Sequence, residues 1–127
     1  MAAANKVVWV GRVLSGLVGL AFLLSAAMKF KPGPEVMQGM AHLGLRDSTI
    51  LPLAILEVSC VVIYLVPQTA VLGAILLTGY VGGTILTHWR VGDPFFVNIA
   101  LGLLLWLGLY LRESRLKALI PVRTRQT

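Results

Sequence analysis

Glu57 stands alone as a charge in the apolar run from Ile50 to Val66. In a membrane-crossing helix such a carboxylate costs roughly 2.5–3.5 kcal/mol on insertion scales, unless it meets a partner or a water-filled cavity. It therefore marks either a site or a helix-helix contact. Cys60 and Tyr64 share its helical face at i+3 and i+7. In the third apolar run Tyr80, Thr84 and His88 repeat every four residues, Asn98 lies about one turn into the fourth, and Lys29 ends the first. Antiparallel neighbours would gather these side chains into one cavity opening at the outer side. Its chemistry would be proton handling by Glu57 and His88, beside a ligand held by Lys29, Tyr80, Thr84, Asn98 and Tyr64.

Each of these residues also has a plainer reading. Lys29 can snorkel to the headgroups. His88, Trp89 and Arg90 are ordinary interface anchors in type, and Asn98 can cap or bridge helices. Glu57 can bridge to a hydroxyl or to Arg12, although Arg12 belongs near the inner end of its own run.

The elements that must position these residues follow from composition. The chain has 127 residues, 57% hydrophobic and 13% charged, with a mean hydropathy of +0.86. Its apolar residues fall in blocks at about 7–28, 50–66, 69–88 and 94–111, each near the 17–25 residues needed to cross a bilayer as a helix. A soluble bundle would need a polar stripe on every helix, and Thr69 to Thr87 and Phe95 to Leu111 have none. The expected fold is all-α integral membrane: an antiparallel four-helix transmembrane bundle in a single domain over residues 1–127. Leu23 to Met28 ends in small residues that also resemble a leader cleavage site, but with Met1 present the first block is expected to be a retained span.

With four spans, both termini lie on the side of the Pro67-Gln68 turn. That side carries Lys6, Arg12, Arg112, Arg115, Lys117, Arg123 and Arg125, against Lys29, Lys31, Arg46 and Arg90 on the other. The imbalance places both termini in the cytoplasm. The net charge of +6 then reflects a basic tail, residues 112–127, drawn to anionic lipid and helical as far as Pro121. No motif supports nucleic-acid binding. In the outer loop, Pro34 and Glu35 suit a helix start and Gly44 its end, while Val36, Met40 and Leu43 recur on one face opposite Glu35, Gln38 and His42. A short interfacial helix over the bundle is expected, with His42 towards water or headgroups. Asp47, Ser48 and Thr49 are the candidate caps of the second span, whose first turn tolerates Pro52.

Gly11, Ser15 and Gly19 repeat every four residues, as do Gly79 and Gly83 with Gly82 beside them. Such ridges let helix backbones approach closely, within one bundle or between copies in a homo-oligomer. The lone Cys60 forms no intrachain disulfide, and His42 and His88 with no Cys or carboxylate pattern fall short of a metal site.

The run Gly79-Tyr80-Val81-Gly82-Gly83-Thr84, followed by Thr87-His88-Trp89-Arg90-Val91-Gly92-Asp93-Pro94-Phe95, resembles the third-span motif of DoxX-like membrane proteins. Ser25-Ala26-Ala27-Met28-Lys29-Phe30 is similar to their first-span ending, and Leu56-Glu57 to their second-span acid. The resemblance implies a four-span bacterial inner-membrane protein, surrounded by the lipid bilayer. Namesake relatives are small subunits associated with quinone-linked thiosulfate oxidation, and others are linked to oxidoreductase complexes handling oxidative stress. This chain has no evident haem, flavin or metal motif, so any redox centre would belong to a partner subunit.

Three functions remain open. The chain is a cavity-forming oxidoreductase subunit that holds quinone or another apolar molecule near Glu57. Alternatively it is a stand-alone hydrolase or isomerase using Glu57 for acid-base chemistry on a lipophilic substrate, with no external cofactor. In the third reading it is a non-catalytic carrier or scaffold whose polar residues fix helix register.

Overall fold

The computed structural model describes residues 2–124; Met1 and Arg125 of the basic tail lie outside the described residues. Five α-helices account for most of the chain, and no strand occurs among the described residues. They are α1 (Ala2–Phe30), α2 (Pro34–His42), α3 (Asp47–Leu65), α4 (Ala70–Arg90) and α5 (Phe96–Arg112). The stretches Asn5–Phe30, Asp47–Leu65 and Pro67–Arg90 are long and apolar enough to cross a membrane, while Phe96–Arg112 is a shorter apolar helix. The outer faces of the bundle carry large apolar side chains, among them Leu17, Leu24, Leu86 and Leu103, each more than half exposed. An apolar exterior is what lipid requires and water penalises.

Neighbouring long helices run antiparallel. Residue pairs across the interfaces record it: Gly11 meets Gly108 and Arg112, Lys29 meets Glu57, Glu57 meets Tyr80, and Thr84 meets Asn98. α1 and α4 each pack between α3 and α5. Tyr64, Leu77, Leu105, Leu109 and Val61 fill the interior, and Glu57 is as fully buried as they are.

The two ends of the bundle differ, and glycine placement explains the difference. Near the termini, a Cβ on Gly11 would sit 2.7 Å from the Gly108 carbonyl oxygen, and one on Gly73 only 2.2 Å from the Tyr64 backbone nitrogen. Backbones touch there, as the first small-residue ridge predicts. The second ridge does not pack within the chain: a Cβ on Gly79, Gly82 or Gly83 would meet nothing within 4 Å. The bundle is thus sealed at the end holding both termini and open at the other.

At the open end, α2 begins with Pro34 after an extended Gly33 and stops at His42, where Leu43 caps it and Gly44 adopts a left-handed φ of +78°. The expected helix over Pro34 to Gly44 is therefore present, two residues shorter. The Arg90 guanidinium donates to the Leu43 carbonyl, tying this turn to the end of α4. α3 starts earlier than expected. Arg46 is its N-cap and makes no side-chain cap bond, so Asp47 is the first helical residue and Pro52 lies inside the helix, beyond the first turn. Thr49 does not cap either, because its hydroxyl turns back to the Arg46 carbonyl.

The tail departs from expectation as well. α5 stops at Arg112 because Glu113 is extended, at φ −121° and ψ 98°, and its carboxylate accepts the Arg115 backbone N–H at 3.3 Å and the guanidinium Nε at 2.9 Å. This opens a 3-10 turn, Ser114–Ala118, that buries Leu116. Hydrogen bonds from Arg115 hold the Glu113 carboxyl below its ordinary pKa.

Candidate functional site

Three helices meet at Glu57: its own α3, α1 and α4. Ser25 and Lys29 lie one turn apart on α1, so both reach the same point on α3. Lys29 Nζ donates to Glu57 Oε2 at 2.9 Å and to Ser25 Oγ at 2.7 Å. Tyr80 of α4 donates its phenol to the same Oε2 at 2.7 Å, and Ser25 Oγ donates to it at 3.4 Å. The carboxylate is fully buried and Lys29 nearly so, so this is an ion pair in a low-dielectric setting. Oε1 of the same carboxylate is buried and has no hydrogen-bond partner among the described residues.

Beside Tyr80, a relay crosses from α5 to α4. Asn98 Nδ2 donates to Thr84 Oγ1 at 2.8 Å, and Thr84 Oγ1 donates to the Val81 carbonyl at 2.7 Å. One turn further, His88 Nδ1 lies 2.7 Å from the Thr84 carbonyl oxygen. A carbonyl only accepts, so Nδ1 carries the proton.

These residues border a cavity of about 900 Å³. Its walls are mainly apolar, with Phe22, Met28, Leu53, Leu56, Leu76 and Leu101 contributing, and Gly79 and Gly83 leave room on the α4 side. α2 lies across the mouth with Val36, Met40 and Leu43 turned to the cavity. His42, expected opposite them, also borders it. Its side chain is exposed, and Nε2 lies 3.0 Å from Asp93 Oδ1 in the α4–α5 turn.

The structure thus brings Lys29, Glu57, Tyr80, Thr84, His88 and Asn98 to one cavity. Tyr64 is the exception. It is fully buried away from the cavity, where Arg112 Nε donates to Ser15 Oγ at 3.0 Å, Ser15 Oγ to the Tyr64 phenol at 2.9 Å, and Tyr64 to the Leu105 carbonyl at 2.5 Å. The physical reason is distance along the helix. Two turns place Tyr64 roughly 10 Å beyond Glu57, at the end where Gly73 lets α4 close against α3. Arg12 takes no part in the site, since its guanidinium lies over the Trp9 ring at 5.2 Å from the centroid.

Sequence reasoning missed Ser25 as a site residue. A hydroxyl one turn before a lysine, in a stretch from Gly16 to Phe30 that is otherwise apolar, was the available signal. It also missed that Gly79 and Gly83 make space instead of contacts, which no residue type reveals.

No curated protein and no solved structure shows a significant match to the chain. The model of the DoxX-like family matches residues 13–110, which takes in every residue that lines the cavity. With apolar helices of membrane-spanning length and a family match over most of its sequence, the chain belongs to the DoxX-like family and is a membrane protein.

Proposed function

We propose that the chain crosses the bacterial inner membrane four times as a single transmembrane domain over residues 1–127, with both termini in the cytoplasm. There it serves as the cavity-forming subunit of a quinone-linked or stress-related oxidoreductase system, holding an apolar small molecule beside Glu57. The observation that carries this reading is the buried Lys29–Glu57–Tyr80 cluster at the wall of a cavity of about 900 Å³. A register-fixing scaffold would need the pair but not the space. Ligand pockets span roughly 300–1,000 Å³ with apolar walls and few polar groups, so a quinone-sized molecule fits the residues present. When bound, such a group supplies the redox chemistry. The chain's own residues orient the hydroxyl edge of its reduced form at Glu57, whose Oε1 can only accept, and α2 limits water at the mouth.

A second reading is favoured by Glu57 Oε1, a buried acceptor without a partner among the described residues, which is the atom that would take a proton from a lipophilic substrate. The chain would then be an enzyme in its own right. Affinity capture of the full chain from gently solubilised native membranes separates the two. Recovery with a partner showing flavin or haem absorption is expected. Recovery of the chain alone, in the same detergent at low salt, contradicts the subunit role.

A further inference from the structure

The cavity wall is asymmetric in its hydrogen bonding. Its donors are engaged within the protein, while its free groups are acceptors. Lys29 has three N–H groups, and they go to Glu57 Oε2, Ser25 Oγ and the Ser25 carbonyl. The wall hydroxyls are engaged as well: Ser25 and Tyr80 on Glu57, Thr84 on the Val81 carbonyl, Thr87 on the Gly83 carbonyl. Because Thr84 donates to a carbonyl, it accepts from Asn98. That fixes the amide with its NH₂ on Thr84 and leaves Oδ1 without a partner among the described residues. Because His88 Nδ1 donates to the Thr84 carbonyl, Nε2 is the ring nitrogen left without a partner among the described residues. Glu57 Oε1, fully buried, has no donor among the described residues. What remains on the donor side is the second Asn98 N–H and the weakly donating thiol of Cys60.

We infer that the cavity selects lipophilic molecules bearing hydroxyl or N–H donors, of the phenol or hydroquinone class, over molecules of the same shape that only accept. This rests on the cavity being a ligand site. The charge of Glu57 is paired through Oε2, but a buried acceptor atom left without a donor is costly, and a ligand hydroxyl on Oε1 removes that cost. A bare carbonyl or ether would place acceptor against acceptor. An amide at position 57 reverses the arrangement: three donors hold its oxygen where Oε2 now lies, so its NH₂ takes the place of Oε1.

The test compares a heptylphenol with the corresponding heptylanisole, which has the same body without the donor. Equilibrium binding to the full chain in one detergent is expected to favour the phenol by about tenfold, and Glu57→Gln to reduce that preference below about twofold. A second measurement needs no substitution at Glu57. With ¹³C-labelled glutamate in a Glu35→Asp, Glu113→Gln chain, which keeps a carboxylate where Glu35 borders the cavity, Glu57 is the sole labelled carboxylate. Its infrared stretch is expected to shift on adding the phenol and not the anisole. Equal binding of both probes to the wild type overturns the donor preference while leaving the cavity as a ligand site. Binding of neither removes the cavity reading too. A phenol preference that persists in folded Glu57→Gln, or an unshifted carboxylate, overturns the assignment to Glu57.

Discussion

Replacing Glu57 by leucine is expected to destabilise the protein by about 3–5 kcal/mol, the usual loss when one partner of a buried ion pair is removed. The reason is the charge left behind. Lys29 is nearly buried and keeps only the two acceptors of Ser25 once Oε2 is gone. Tyr80 loses its acceptor as well. Lys29→Met in the same chain removes the stranded charge, so the double variant should recover most of the loss. Thermal or denaturant unfolding of the two single variants and the double variant measures the coupling. If the double variant loses the sum of the single effects, the two residues act independently and the pair is not the element that joins α1 to α3.

Gly73→Ala should be at least as damaging. Its Cβ would lie 2.2 Å from the Tyr64 nitrogen and 2.3 Å from the Tyr64 Cα, both backbone atoms. Backbone inside a helix cannot swing aside as a flexible side chain does, so α4 must move away from α3. That opens the sealed end and disturbs the Arg112–Ser15–Tyr64 relay. A loss of about 4 kcal/mol or more, or failure to fold, is expected, beyond the range of ordinary surface changes. Gly82→Ala is the matched control, because its Cβ would meet nothing within 4 Å. It should be neutral or slightly stabilising, since alanine is the better helix former. Equal stability of the two variants in an unfolding assay would show that the close α3–α4 approach does not hold the bundle.

Much of the site was legible because burial of charge in an apolar helix is expensive. That cost singled out Glu57, and helical spacing then pointed to Tyr80, Thr84 and His88 on α4, with Lys29 and Asn98 at the right helix ends. What spacing cannot distinguish is where along a shared face the bundle is closed. Tyr64 lies on the Glu57 face, yet the α3–α4 contact at Gly73 puts it in the sealed half. The two glycine ridges look alike as sequence, but Gly11 packs against Gly108 while Gly83 faces open space. Helices with apolar exteriors give no amphipathic signal to tell those cases apart. The end of α5 was hidden for another reason. Glu113 captures Arg115 locally, two residues away, and this competes with continuing the helix.

The claim that the space beside Glu57 is a ligand site is tested most directly by filling it. Gly83 borders the cavity, and a Cβ there would meet nothing within 4 Å, whereas Gly82 has the same room for a Cβ but does not border the cavity. Equilibrium binding of heptylphenol to wild type, Gly82→Leu and Gly83→Leu should give one molecule per chain for the first two. For Gly83→Leu, affinity should fall at least about 100-fold, close to 2.7 kcal/mol, with thermal stability unchanged or raised because glycine is the poorer helix former. Gly83→Leu binding as tightly as wild type would contradict the account.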